Sequence, residues 1–390
     1  MSALRPVPVT AFGLCNAIGG SPAEVREALL AGRSGLGPSP VDVPFETAVG
    51  AVSAGLPELE GELASWSTRT GRIARLLLEQ LEPRLGRMRA RCRPERIAVV
   101  MGTSTAGADV TENAYRHYVE HGALPDGYDL WKHHTYGSVL HVVQSLAGAR
   151  GPAWMISTAC TSSAKPLASA QRLLAADLAD AVLVGGIDTL CAMTLRGFHS
   201  LDALSSTPCR PFAADRDGIS IGEGGALLLL EREGDALALL ESVGESSDAY
   251  HISAPHPEGH GAQAAMERAL ALAGCAPSDV DHINAHGTGT RLNDVAESKA
   301  IARVFGTDVP VVSVKGYVGH TLGAAGGTEA AMAIFALTEG WLPASLGAEP
   351  KDEKIAIRVP TEVTRGTFRR VMSNSFAFGG NNVSVLLRAP

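Results

Sequence analysis

Four short stretches of this chain hold side chains suited to covalent chemistry. Cys160 stands in "ISTACTSSAKPLASAQRLL", between a short apolar run and what reads as a helix, with Ala159, Thr161, Ser162 and Ser163 around it. A helix start offers free backbone N–H groups and the positive end of the peptide dipole, which favour a thiolate. The small neighbours leave room for a substrate to reach the sulfur. The spacing therefore predicts a nucleophilic thiol of lowered pKa, although a lone cysteine is more often a small buried hydrophobe.

The second stretch, "NAHGTGTRLNDVAES", puts His286 at the end of a predicted strand. The loop behind it carries two hydroxyls, Thr288 and Thr290, which can hydrogen-bond a polar, extended ligand arm. It lacks the Gly-Lys-Ser/Thr ending of a phosphate-binding loop. The third, "SVKGYVGHTLGAAGGTEA", sets Lys315 and His320 just ahead of a Gly/Ala-rich helix carrying Glu329. Small residues let that helix pack closely, which predicts burial, and a buried lysine needs a partner such as Glu329. The fourth, "NSFAFGGNN", reads as a tight glycine turn whose backbone N–H could face a ligand. Each piece alone is ambiguous, since His286 would serve equally well as a satisfied core histidine and the turn as an ordinary one.

Something must position these pieces. The runs "RIAVVMGTS", "AWMIST" and "DAVLVGGID" are apolar and rich in β-branched residues, and read as buried strands. "DHINAH", "VPVVSV" and "VMSNSFAF" repeat the theme in the second half. The helix candidates there are "GAQAAMERALALAG", with Met266 and Leu270 on a core-facing stripe, "NDVAESKAIARVFG" and "GAAGGTEAAMAIFALTEG". Strands alternating with helices argue for an α/β architecture with covered sheets. The stretch from 231 to 262 is the expected join, giving halves of residues 1–235 and 236–390.

Composition narrows the function classes. The chain has 390 residues, 45% hydrophobic and 19% charged, with a formal charge of −8. Such a balance works against a nucleic-acid partner. Arg87, Arg89 and Arg91 could form a local docking spot for an acidic carrier, but a solvated face is the plainer reading. No run approaches the ~18 apolar residues of a membrane span, and "MSALRPVPVT" shows no secretory signal. The six cysteines are scattered without a CxxC pair, which reads as reduced thiols of a cytoplasmic protein.

The order of the four stretches is distinctive. A cysteine, His-Gly-Thr-Gly-Thr, Lys-x4-His with Gly-Ala-Ala-Gly, then Phe-x-Phe-Gly-Gly resembles the elongating β-ketoacyl-acyl carrier protein synthases of the thiolase superfamily. The resemblance runs over nearly the whole chain and includes "PCRPFAADRDGISIGEGGALLLLE". It implies a duplicated five-layer α-β-α-β-α fold and a dimer, either of like chains or with a chain-length-factor homologue. It implies decarboxylative condensation of an acyl group on Cys160 with malonyl-acyl carrier protein. His286 and His320 would bind the malonyl thioester carbonyl, with Lys315 and Glu329 tuning the site. The backbone N–H groups of Cys160 and Phe378 would form an oxyanion hole, and Thr288 and Thr290 would hold the phosphopantetheine arm. Phe376, Ala377, Phe378 and Gly379 would form a gate. No cofactor is required, though a monovalent cation would map to Asn284, Glu329, Ser373 and Asn374.

Two departures from the family pattern stand out. The usual "GFGGTN" loop is "AFGGNN" here, with Ala377 and Asn381 at the changed positions, and Lys165 stands where elongating synthases often have histidine. Together with "SDAYHISAPHPEGHGA" they look most like the synthases of aryl polyene pigment pathways. A non-catalytic chain-length factor is the rival reading, opposed by the retained Cys160, His286 and His320. A Cys-His hydrolase is disfavoured because a second histidine and a lysine share the site.

Overall fold

The computed structural model describes residues 5–390. The expectation about a leader falls partly on residues 1–4, which lie outside the described residues. The apolar runs form strands as expected. Ile97–Gly102 is wholly buried and pairs in parallel with Ala153–Ile156 on one side and Ala181–Asp188 on the other. Gly224–Glu231 runs antiparallel to Ala181–Asp188 and to Val7–Asn16.

The second half repeats this layout. His282–Asn284 lies parallel to Val311–Val312 and Arg370–Phe376, and Asn381–Arg388 runs antiparallel between Arg370–Phe376 and Ala238–Ser247. Counted along the chain, each half places its strands in the order third, second, fourth, fifth, first. Identical order and direction in both halves make the fold a duplication. The first strands of the halves pair over Val7–Val9 and Ala238–Leu240, which joins the main strands of both halves, among the described residues, into one ten-stranded sheet. The expected join is therefore no free linker: most of its first half, Ala238–Ser247, is a central strand. The 235/236 boundary falls in the loop before it.

Alternate side chains of each strand point to opposite faces, and both faces are apolar. Ala98 and Val100 enter one core with Leu167, Leu174, Ala330 and Val385. Ile97, Val99 and Met101 enter another with Ile73, Leu77 and Val142. Helices Arg69–Arg91 and Tyr136–Ala147 cover the outer face of the first half. Helix His260–Ala273, with Met266 and Leu270 buried, and helix Arg291–Phe305 cover the second. Between the halves lie Lys165–Ala175 and Ala325–Glu339, each touching strands from both. Residues 325–336 are all buried, as a helix enclosed on every side requires. This is the five-layer arrangement that the resemblance implied.

Among the described residues no helix is long and apolar enough to cross a membrane. Of the three clustered arginines, Arg89 pairs with Glu82 and Arg91 with Glu231, so much of that positive charge is neutralised locally.

Candidate active site

Cys160 does not open a helix. It sits in a tight turn after Ala153–Ile156, and the helix proper begins at Lys165. Ala159, immediately before it, adopts a left-handed φ of 51°, a strained conformation for a residue with a Cβ. The hydroxyl of Ser162 ties the turn, accepting from Thr158 N–H at 2.9 Å and donating to Ala159 C=O at 2.6 Å. The expected lowering of the thiol pKa is overturned as well. Burial pushes Cys160 up to about 11, against the smaller lowering effects of the Lys315 charge and of hydrogen bonds from the backbone N–H groups of Phe378 and Cys160 itself. The resting group is a thiol.

Three long-range approaches complete the centre. His320 Nε2 lies 3.0 Å from Cys160 Sγ. The His286 ring stands edge-on to His320 with centroids 5.1 Å apart, and one ligand atom from each of the three residues falls within 4.8 Å of the others. Both imidazoles are held well below their ordinary pKa, first by burial and then by the Lys315 charge, so both are neutral at pH 7. The Nδ1 atom of each ring is buried without a partner. An orphaned N–H is rarer than an orphaned acceptor. We therefore assign the proton in both rings to Nε2, which makes each a donor into the site.

Lys315 is fully buried, donates to the His286 carbonyl and pairs with Glu329 as expected. The helix bearing Glu329 packs tightly on the end of the Cys160 turn because of Gly326, where a Cβ would stand 2.6 Å from that of Ala164. Of the four residues mapped to a cation, Asn284 Nδ2 donates to Ser373 Oγ at 3.3 Å, and Asn374 Oδ1 accepts from Ser384 at 2.8 Å. Glu329 Oε2 is buried without a partner.

Three buried carboxylates that sequence reasoning missed hold the loops. Glu297 accepts from the N–H groups of His286 and Gly287 at 2.8 and 2.7 Å, and burial raises it to about 7. Asp294 accepts from Thr288 and Gly289. Their signal was the acidic pair three apart in "NDVAES", on the helix face turned back towards the loop. Asp188 accepts from Thr103, Ser104, Thr105 and Gly323. Gly323 in turn accepts from Ser163 N–H at 3.0 Å, so one residue ties the His320 loop to the Cys160 turn.

A cleft of about 470 Å³ leads to the sulfur, lined among others by Thr288, Thr290, Phe198, Phe376, Ala377 and Phe378. Thr288 Oγ1 and Thr290 Oγ1 are 3.0 Å apart, and Thr290 also caps the helix that follows. The turn after Phe376 closes through Ala377 N–H to Asn381 C=O at 2.8 Å. It is completed by Gly379 and Gly380 at φ of 81° and 77°, backbone angles that favour glycine. Phe378 at its tip is half-exposed and packs on Phe198, with centroids 5.6 Å apart.

The comparisons with known proteins agree with this geometry. The family model described as "Beta-ketoacyl synthase, N-terminal domain" matches residues 4–236, and that of the C-terminal domain matches 237–349. The chain is 39% identical over 245 residues to 3-oxoacyl-[acyl-carrier-protein] synthase 2 of Mycobacterium bovis, covering 58% of this chain and 59% of that one. Thus the match spans less than two thirds of that relative. Nodulation protein E of Rhizobium meliloti is 37% identical over 299 residues, 74% of each chain. Among solved structures, the ketosynthase ApeO, in complex with its chain length factor ApeC from Xenorhabdus doucetiae, is 40% identical. It superposes with a TM-score of 0.91 over 99% of this chain and 98% of that one.

Proposed function

This chain belongs to the β-ketoacyl synthase family, and we propose that it is a condensing enzyme that elongates an acyl chain held on Cys160. The Cys160 sulfur attacks the thioester of an acyl carrier protein and its proton leaves with the phosphopantetheine thiol. Malonyl-acyl carrier protein then loses carbon dioxide, and the resulting enolate carbon attacks the Cys160 thioester. A carbon–carbon bond forms, the carbon–sulfur bond to Cys160 breaks, and the sulfur takes up one proton. The products are β-ketoacyl carrier protein, carbon dioxide and free Cys160.

The observation that carries this reading is the convergence of one thiol and two neutral imidazoles, His320 Nε2 being 3.0 Å from the sulfur. Decarboxylation needs no strong base, because the charge moves to the thioester oxygen. Two N–H donors in a dry pocket stabilise that oxygen, and removing one such donor typically costs about 10²–10³ in rate. The backbone N–H groups of Cys160 and Phe378 would take the oxygen of the acyl group in the same way. Thr288 and Thr290 would hold the pantetheine arm, the turn around Phe378 would gate the cleft, and Asn284, Glu329, Ser373 and Asn374 would hold a monovalent cation.

The likeness to ApeO over nearly the whole chain supports an aryl polyene-type pathway and a chain-length-factor homologue as partner. A cytoplasmic enzyme is the corresponding location. Retention of the three reactive side chains speaks against a non-catalytic subunit. Mass spectrometry of the intact protein after incubation with acyl carrier substrate tests the proposal. Wild type should gain one acyl mass and Cys160→Ser none, while Cys160→Gln should still release carbon dioxide from malonyl carrier protein. Acylation of the Ser variant at the wild-type rate would remove Cys160 as the nucleophile.

A further inference from the structure

The two departures noted in the sequence, Lys165 and Asn381, meet in the structure. Lys165 Nζ donates to Asn381 Oδ1 at 3.0 Å, across 216 residues of chain. Lys165 is the first residue of the helix that follows the Cys160 turn. A cation there opposes the helix dipole, so something outside the helix must stabilise it. Glu245 Oε1, 3.9 Å from Nζ, supplies part of that, but Glu245 is also engaged by Arg172 at 2.8 Å. The direct hydrogen bond goes to Asn381, whose carbonyl receives Ala377 N–H and so forms the base of the turn that carries Phe378.

We infer that Lys165 and Asn381 form a strut that holds the Phe378 turn closed over Cys160, which makes both positioning residues for acyl loading and acyl-group selection. The argument rests on the condensing-enzyme reading above. With the strut intact, Phe378 stays against Phe198 and its N–H stays on the sulfur. With it cut, the turn opens more often, the cleft accepts bulkier acyl groups, and the oxyanion donor is less often in place. Lys165 is four-fifths buried, and Asn381 is also partly buried, so the contact is only partly screened by water.

The experiment measures pre-steady-state acylation of Cys160 by long-chain and short-chain acyl carrier proteins, followed by steady-state condensation. Lys165→Met and Asn381→Ala should each raise the long-to-short acylation ratio about tenfold, the lower end of the scale for one lost charge-assisted hydrogen bond. Each should lower kcat for condensation while leaving KM for malonyl carrier protein unchanged. The double variant should be no worse than the stronger single one, because both cut the same contact. Asn381→Asp keeps an acceptor oxygen and should hold the ratio at or below that of wild type. Asn381→Ala removes the acceptor without touching the helix, so a folding failure of Lys165→Met leaves the test standing. An unchanged ratio, or single effects that multiply in the double variant, overturns the strut. Wild-type protein that takes no acyl group overturns instead the reading on which the strut rests.

Discussion

Replacing Asp188 by Asn changes one atom and should disturb both stability and catalysis. The carboxylate is fully buried at the end of Ala181–Asp188. It accepts from the N–H groups of Ser104, Thr105 and Gly323 at 2.9, 3.0 and 2.6 Å, and from the hydroxyls of Thr103, Ser104 and Thr105. An amide keeps one acceptor oxygen and turns the other into a donor. With the oxygen in the Oδ1 place, Ser104 can rotate its hydroxyl to accept from the new NH₂ group, while Gly323 N–H loses its 2.6 Å bond to the carboxylate and keeps only the longer one to Ser104 Oγ at 3.2 Å. Losing a hydrogen bond to a charged group costs about 1.5–3 kcal/mol, and the remaining bonds lose the assistance of charge. The total should be about 3–5 kcal/mol, a large share of the roughly 5–15 kcal/mol that stabilises a typical domain. Because Gly323 also receives Ser163 N–H, the Cys160 turn would shift against His320, and small misplacements of this kind cost up to about 10²-fold in rate. Urea unfolding and malonyl decarboxylation measure the two effects. A loss below about 1 kcal/mol with wild-type turnover would refute the reasoning.

His286→Ala and His320→Ala should each lose malonyl decarboxylation by about 10²–10³ while retaining part of the self-acylation of Cys160, followed by intact mass. A variant that decarboxylates normally but cannot be acylated would reverse the assigned roles. The depressed histidine pKa values keep both rings neutral as pH falls through 6.5, so decarboxylation by Cys160→Gln should stay flat from pH 8 to below 6.5. A decline centred on 6.5 would contradict the neutral pair. Alkylation of Cys160 by iodoacetamide should rise about tenfold per pH unit through neutrality, since its thiol stands near 11. A plateau below pH 8 would show that the thiolate is favoured after all.

The reactive residues were legible because each lies on a short, compositionally marked stretch. Cys160, His286 and Lys315 stand just past a strand end and His320 after one further short helix, each among small residues, and the structure brings them to one point. The helix carrying Glu329 and the strands around it were legible from period and composition. The ionisation of Cys160 was not. The dipole argument treats the thiol as if it stood in water, whereas burial sets the larger effect. Asp188 was invisible for a different reason: its partners lie 83 to 135 residues away, and nothing local marks it as an acceptor. The strand Ala238–Ser247 was hidden inside an apparent linker because its polar end, "ESVGESS", lacks the unbroken apolar run of the other central strands.

The middle layer has a consequence for how the molecule comes apart. One of its two helices belongs to each half, and each lines apolar faces of both. Neither half alone can cover its own inner face, so the folding unit is the whole fused pair. The thiol is carried by one half and both histidines by the other. A population with only one half folded would therefore contribute nothing to turnover, and activity should report on global folding as faithfully as any spectroscopic probe. Heat or denaturant should switch the enzyme off in a single step rather than wear it down by degrees.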